Sequence, residues 1–145
     1  MSIEAAGQLI GVRDGEQSTY NRHGGITTAT NVYRCLNLLD VKWGTIAADN
    51  VSLAKAVANT YNDIKHFDRG EFPDAPVSHI ISIITRMIVR LLALYIIDDS
   101  GALLKDHREG GAMWKIQQWS DLYHLTFNER GKAVFSTAEE AEGGS

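Results

Sequence analysis

The stretch from Ile80 to Ile97 is IISIITRMIVRLLALYII and is nearly continuous in apolar residues. Its apolar residues lie nearly all round a helix, which is typical of a central helix in a bundle. Its length approaches the roughly 18 residues that a membrane-spanning helix needs. However, Arg86 and Arg90 lie in its middle, where a bilayer would penalise each charge by several kcal/mol. We therefore predict a core helix from about Val77 to Ile97, and we expect no membrane partner.

Two amphipathic patterns precede this central helix. Apolar residues at spacings of three and four predict a first helix from Thr27 to Trp43, with Gly44 as its stop signal. A second helix is predicted from about Val51 to Phe67, with Asp49 or Asn50 as its N-cap. The segment 68–76 contains both prolines of the chain. A loop of this length can join two antiparallel helices.

The sequence after the central helix gives a weaker pattern. We predict a polar loop over 107–111 and a fourth helix from Met113 to Phe127. An alternative for its end is a pair of strands around 123–127 and 132–135, turning at 128–131. The predicted fold class is all-α, with an appendage that is helical or partly β. We divide the chain into a short helix and flexible loop (1–26), a helical core (27–101), a Trp-rich appendage (102–135) and a disordered tail (136–145).

The composition favours one soluble domain. The chain has 145 residues, 44% of them hydrophobic, which is enough to build a core without disulfides. Its formal net charge of −4 gives no electrostatic reason for tight nucleic-acid binding, although a local basic cleft stays possible in principle. Cys35 is the only cysteine and is interpreted as a buried apolar thiol. The beginning of the chain lacks a signal-peptide layout, so we expect a cytoplasmic location.

The remaining chemical side chains carry weaker signals. No spacing of cysteine and histidine resembles a zinc site, and we expect neither a metal nor another cofactor. We assign four of the histidines to the surface or to packing: His23, His79, His107 and His124. The aromatic group Trp114, Trp119 and Tyr123 is interpreted as core or as an oligomer interface rather than as a base-stacking platform.

The segment from Ala58 to Gly70, ANTYNDIKHFDRG, carries a resemblance to a known family. It resembles the end of the second core helix of HEPN domains, above all the C-terminal HEPN domain of ApeA-like anti-phage defence proteins. The signature of that family is an Arg, a polar residue, three variable residues and a His, followed by a loop and a long apolar helix. Asn62 and His66 match the polar residue and the His, whereas Tyr61 stands at the Arg position. The resemblance spans roughly 27–97.

The resemblance implies a HEPN-like helical bundle that forms a homodimer and acts on RNA. Many members of the family are metal-independent ribonucleases. It implies His66 and Asn62 as catalytic residues, because a histidine can serve as general acid and base on the RNA 2′-hydroxyl and the leaving oxygen. Substrate-binding roles would fall to the basic residues Lys65, Arg69, Arg86 and Arg90. An upstream sensor domain outside this chain is a further expectation.

Two alternatives stay open. Because an aromatic ring cannot neutralise a phosphate, Tyr61 favours a catalytically inactive HEPN-like module for dimerisation or partner binding. Alternatively, the resemblance carries no function, and the bundle is a structural or adaptor protein. The arginines of the central helix have two interpretations as well. Arg86 and Arg90 form a salt bridge with Asp63, Asp68 or Glu71, or they face a polar cleft.

Overall fold

The computed structural model describes residues 2–66, 68, 72–98, 101–108 and 111–137. It is mostly helical, as the sequence predicts. The α-helices in chain order are α1 (Ile3–Ile10), α2 (Thr28–Leu39), α3 (Asn50–Lys65), α4 (Ala75–Ile97), α5 (Ala102–Arg108) and α6 (Gly111–Tyr123). A short 3-10 helix, Glu16–Thr19, lies between α1 and α2. The strands β1 (Leu125–Phe127) and β2 (Ala133–Phe135) form an antiparallel hairpin at the end of the described chain.

Helix α4 is the central element, but only one of its faces is buried. That face packs against α2, α3, α5 and α6 through Val77, Ile80, Ile81, Ile84, Met87, Ile88, Leu91 and Leu92. By length and hydropathy α4 could also cross a membrane, yet this face fills the core of a folded domain, as the sequence analysis expects. The opposite face, here called the α4 stripe, is exposed and consists of Ser82, Arg86, Val89, Arg90, Ala93, Ile96 and Ile97.

The ends of the helices differ from the prediction by a few residues. Helix α2 ends at Leu39 rather than at Trp43, because Asp40 adopts a left-handed conformation with φ 50°. Helix α3 begins at the predicted cap, since the Asp49 carboxylate accepts the backbone N–H of Ser52 at 2.7 Å. Helix α4 begins two residues early, with Pro76 in its first turn, where the missing N–H costs nothing.

The stretch before α2, predicted as a loop, contains a 3-10 helix that is bound to α2. Glu16 of the 3-10 helix is fully buried, and Arg34 of α2 donates two hydrogen bonds to its carboxylate at 2.9 and 3.0 Å. Tyr20 donates a third at 2.7 Å. Beside this pair, Thr19 donates to the hydroxyl of Thr30 at 2.9 Å. We call Glu16, Thr19, Tyr20, Thr30 and Arg34 the buried polar network.

The C-terminal segment follows the alternative with two strands. Helix α6 ends at Tyr123 because His124 adopts a left-handed conformation with φ 51°, and the hairpin follows directly. The helix predicted to continue to Phe127 is therefore wrong at its end. Helix α5 was not predicted; residues 109 and 110 of the expected polar loop lie outside the described chain. Four residues of this segment join the same core as the earlier helices: Leu104, Ile116, Leu125 and Phe127.

The aromatic residues of α6 divide between packing and exposure. Trp119 and Tyr123 stack with ring centroids 5.3 Å apart. Both pack against His79 of α4, whose Nδ1 lies 2.7 Å from the Tyr123 hydroxyl. Trp114, in contrast, is 63% exposed. Trp119 and Tyr123 thus dock α6 onto the central helix, whereas Trp114 does not take part in that packing.

Candidate nucleic-acid interface

The last turn of α3 extends beyond the core. All buried residues of this helix lie between Ser52 and Thr60, where they face α2 and α4. From Tyr61 to His66, every residue is exposed. The sequence explains this change, because Ala54, Val57 and their neighbours give way to a run of polar residues. The part of the resembling segment from Tyr61 to His66 therefore lies on the surface.

Three predicted site residues share one side of this turn: Asn62, Lys65 and His66. Their spacing of three and four residues makes them neighbours on a helix surface. His66 is the C-cap of α3, and its backbone N–H donates to the Asn62 carbonyl at 3.0 Å. Among the described residues, no other side chain forms a hydrogen bond with these three. We call them the helix-end cluster; each remains available to a ligand.

Arg86 and Arg90 lie on α4, whereas the helix-end cluster lies on α3. Arg86 and Arg90 are exposed on the α4 stripe, and Arg86 Nε makes only a long contact of 3.4 Å with the Ser82 carbonyl. Arg86 lines a groove of about 240 Å³ between α3 and α4, together with Tyr61 and Ile64. This α3–α4 groove therefore brings a cation beside the position where the family signature has its own arginine.

The proposed structural salt bridges of these arginines do not form within the described chain. There, Arg34–Glu16 is the one ion pair within 4.0 Å. Asp63 and Asp68 are exposed and leave Arg86 and Arg90 unpaired, so the salt-bridge interpretation is wrong for these two acids. Two other predicted residues, Arg69 and Glu71, lie outside the described residues.

A second concavity lies beside the helix-end cluster. It has a volume of about 270 Å³ and separates the end of α3 from the beginnings of α1 and α2. Asn62 and Lys65 line it, as does Tyr61, which also lines the α3–α4 groove. Tyr61 is 45% exposed and thus forms a ridge between the two concavities.

The one ion pair among the described residues lies elsewhere, in the buried polar network, and was not predicted from the sequence. Hydrogen bonding from Arg34 lowers the pKa of Glu16 to about 2 against the opposing effect of burial. The same pair raises the pKa of Arg34. A charged residue inside the apolar pattern of α2 was the available signal. Because both side chains are inaccessible, the pair is a structural element and not a site.

The thiol of Cys35 is inaccessible as well. Cys35 is fully buried, as predicted, and burial raises the pKa of its thiol to about 11. Its Sγ lies 3.7 Å from the carbonyl oxygen of Ile3 in α1. A thiol with this pKa stays protonated at neutral pH and is a poor nucleophile.

Comparisons of the chain with protein-family models, with curated proteins and with solved structures find no match. The helix-end cluster and the two concavities beside it are therefore interpreted from their own geometry.

Proposed function

We propose that this chain is a HEPN-type domain of an anti-phage defence protein, which acts in the cytoplasm as a homodimer and cleaves RNA without a metal. The observation that carries the proposal is the helix-end cluster: Asn62, Lys65 and His66 lie exposed together on the last turn of α3. The order of elements supports it, because the long apolar helix α4 is the next helix in the described chain.

The cluster contains the groups that such a cleavage needs. His66 would accept the proton of an RNA 2′-hydroxyl, whose oxygen then attacks the adjacent phosphorus. The bond from phosphorus to the 5′-oxygen breaks, and the His66 imidazolium formed in the first step gives its proton to that leaving oxygen. The products are a 2′,3′-cyclic phosphate and a 5′-hydroxyl. The Asn62 amide can donate to a phosphate oxygen, and the Lys65 ammonium adds positive charge.

The missing signature arginine requires a cation from another position. Arg86 is the candidate that the structure supports, since it lines the α3–α4 groove with Tyr61, the residue at the signature position. A guanidinium binds phosphate through two parallel hydrogen bonds, which a tyrosine cannot replace. We therefore propose that Arg86 holds the phosphate on one side of Tyr61 while His66 acts on the other.

A dimer would complete this arrangement. The α4 stripe exposes apolar side chains beside its two arginines: Val89 is 42% exposed, Ile96 64% and Ile97 73%. Large exposed apolar surfaces of this kind mark interaction sites. In a two-fold dimer through this stripe, one copy could place its arginines near the helix-end cluster of the other.

The test is cleavage of a 5′-labelled RNA by the purified protein in the presence of EDTA. His66→Ala and His66→Gln should each reduce the rate by about 100-fold or more, because general acid–base catalysis contributes that much. His23→Ala is the matched control, since His23 is also exposed but lies in the loop before α2. Equal cleavage by the wild type and the His66 variants, or none by the dimeric wild type, would contradict the proposal.

A second candidate is a catalytically inactive HEPN-like module for dimerisation or partner binding. Tyr61 at the signature position favours it, as does the separation of Arg86 from the helix-end cluster. It predicts a dimer by light scattering that Val89→Asp dissociates and His66→Ala leaves intact, with no RNA cleavage. It also predicts that Tyr61→Arg introduces cleavage. Cleavage by the wild type would exclude this candidate.

A further inference from the structure

We propose that the concavity between α1, α2 and α3 is a subsite for a guanine base of the RNA. The inference rests on the proposed function, because Asn62 and Lys65 of the helix-end cluster line this concavity. Its volume of about 270 Å³ is enough for one nucleobase and too small for a folded peptide element. It would fix which nucleotide lies next to the bond that His66 cleaves.

The floor and walls of the concavity are mostly apolar. Ile3 and Val32 are 8% and 1% exposed, and they close the bottom between α1 and α2. Ala58 and Ile64 of α3 line the side. Tyr61, at the edge, offers an aromatic ring that is 45% exposed. Unstacked RNA bases bind to proteins mainly by stacking on such rings and by hydrogen bonds along their edges.

The rim carries one carboxylate and one ammonium. Glu4 accepts the hydroxyl of Thr28 on Oε1 at 2.9 Å, which fixes the carboxylate at the mouth of the concavity. Its Oε2 accepts no hydrogen bond from a described residue. Lys65 lies on the same rim but forms no ion pair with Glu4. In the described chain, the one ion pair joins Arg34 and Glu16. Both charges are therefore available to a ligand that carries hydrogen-bond donors for the carboxylate and an anionic group for the ammonium.

Guanine is the base whose edge matches a carboxylate. An ionised carboxylate only accepts hydrogen bonds. Guanine presents two adjacent donors, N1–H and the N2 amino group, and can thus bind both carboxylate oxygens. Adenine and cytosine place an acceptor beside their amino group, and uracil has one donor between two acceptors. Lys65 would bind the phosphate of the same nucleotide, and Asn62 is placed to contact its ring or sugar.

The experiment is a titration of the full ¹⁵N-labelled chain with the four nucleoside 5′-monophosphates, followed by NMR. GMP should bind more tightly than AMP, CMP or UMP and should shift the amide signals of residues 3–4, 28 and 61–65. Glu4→Gln should reduce the preference of GMP over AMP fivefold or more, because an amide cannot accept both donors. Lys65→Gln should weaken all four nucleotides alike.

Glu129→Gln is the matched control, because it makes the same change at an exposed carboxylate that does not line the concavity. It should keep the preference for GMP, and circular dichroism should show that all variants fold. Equal affinities for GMP and AMP, or shifts at another surface, would overturn the guanine subsite. GMP binding without RNA cleavage would retain the subsite and remove the catalysis. Cleavage without a preference for guanine would remove the subsite alone.

Discussion

Two polar regions of this molecule have opposite designs. In the buried polar network, Glu16 and Arg34 are almost completely enclosed and bind each other through two hydrogen bonds. In the helix-end cluster, Asn62, Lys65 and His66 are all exposed, and no described side chain bonds to them. The first region uses its polar atoms internally, to hold the 3-10 helix against α2. The second leaves them to the solvent, where a ligand can use them.

The difference teaches where charge supports the fold and where it is free for function. A buried ion pair is costly to break, because the remaining partner is left as an isolated charge in a low-dielectric environment. An exposed polar side chain adds little to stability, because water replaces its partners. We therefore predict that substitutions in the buried polar network lower the stability of the fold. Substitutions in the helix-end cluster should lower RNA cleavage and leave stability nearly unchanged.

The largest expected effect comes from Arg34→Met. It leaves the Glu16 carboxylate buried without its main partner, and we expect a loss of about 3–5 kcal/mol in the free energy of unfolding. Arg86→Met on the exposed face of α4 is the matched control and should change this free energy by less than about 0.5 kcal/mol. Urea denaturation measures both. A loss below about 1 kcal/mol for Arg34→Met would show that the pair does not hold the fold.

The pH dependence of stability should come next. The pKa of Glu16 is about 2 in the folded chain and 4.5 in its ordinary state, chiefly because Arg34 donates to the carboxylate. The unfolded chain therefore binds a proton at higher pH than the folded one, and the stabilisation is complete above pH 4.5 and is lost as the pH falls towards 2. Protonation keeps the side chain in place, so the effect should be smaller than that of Arg34→Met.

Thermal unfolding between pH 6 and pH 2.5 measures this dependence. Glu16→Gln is the control, because it removes the titrating group while preserving the shape of the side chain. The midpoint of the wild type should fall more steeply with acid than that of the variant. Parallel curves for the two proteins would contradict the role of Glu16.

A smaller effect is expected from Thr30→Val. The Thr30 hydroxyl accepts from Thr19 at 2.9 Å and from the backbone N–H of Thr27 at 3.0 Å, so it joins the buried polar network to the capping box of α2. Its removal should cost about 1–2 kcal/mol. Thr126→Val, on the exposed side of β1, should change stability by less than about 0.5 kcal/mol. Equal losses in urea denaturation would show that the two threonines do not differ.

The smallest effect on stability should come from the helix-end cluster itself. His66→Ala and Asn62→Ala remove exposed side chains without described partners, so each should shift the unfolding free energy by at most about 0.5 kcal/mol. The same proteins should lose RNA cleavage. Differential scanning calorimetry beside the cleavage assay checks both. A large loss of stability in either variant would show that the cluster supports the fold.

The helices could be predicted from the sequence where the pattern that specifies them is local. The helix around Ile88 and the polar end of α3 follow from periodicity, and Asp49 was a recognisable cap. The burial of Glu16 was not predictable in this way, because its partner Arg34 lies 18 residues further along the chain. The end of α2 was not predicted, because the residue in the left-handed conformation that stops the helix is Asp40 and not a glycine.

The candidate site was likewise predictable only in part. The resemblance singled out Asn62, Lys65 and His66, and the structure shows all three exposed on the last turn of α3. The position of Arg86 relative to them depends on how α4 packs on α3, which no local pattern encodes. The cavity lined by Glu4 depends on the packing of three helices and had no sequence signal.

The most direct test of the central claim is a map of RNA contacts on both polar regions at once. A ¹⁵N-labelled chain is titrated with a 2′-O-methylated oligonucleotide, which binds but cannot be cleaved through a 2′-hydroxyl. We predict progressive shifts of the amide signals of residues 58–66 and of Arg86, with those of Glu16, Thr30 and Arg34 unmoved. Shifts confined to other surfaces, or no shifts at millimolar oligonucleotide, would contradict the account.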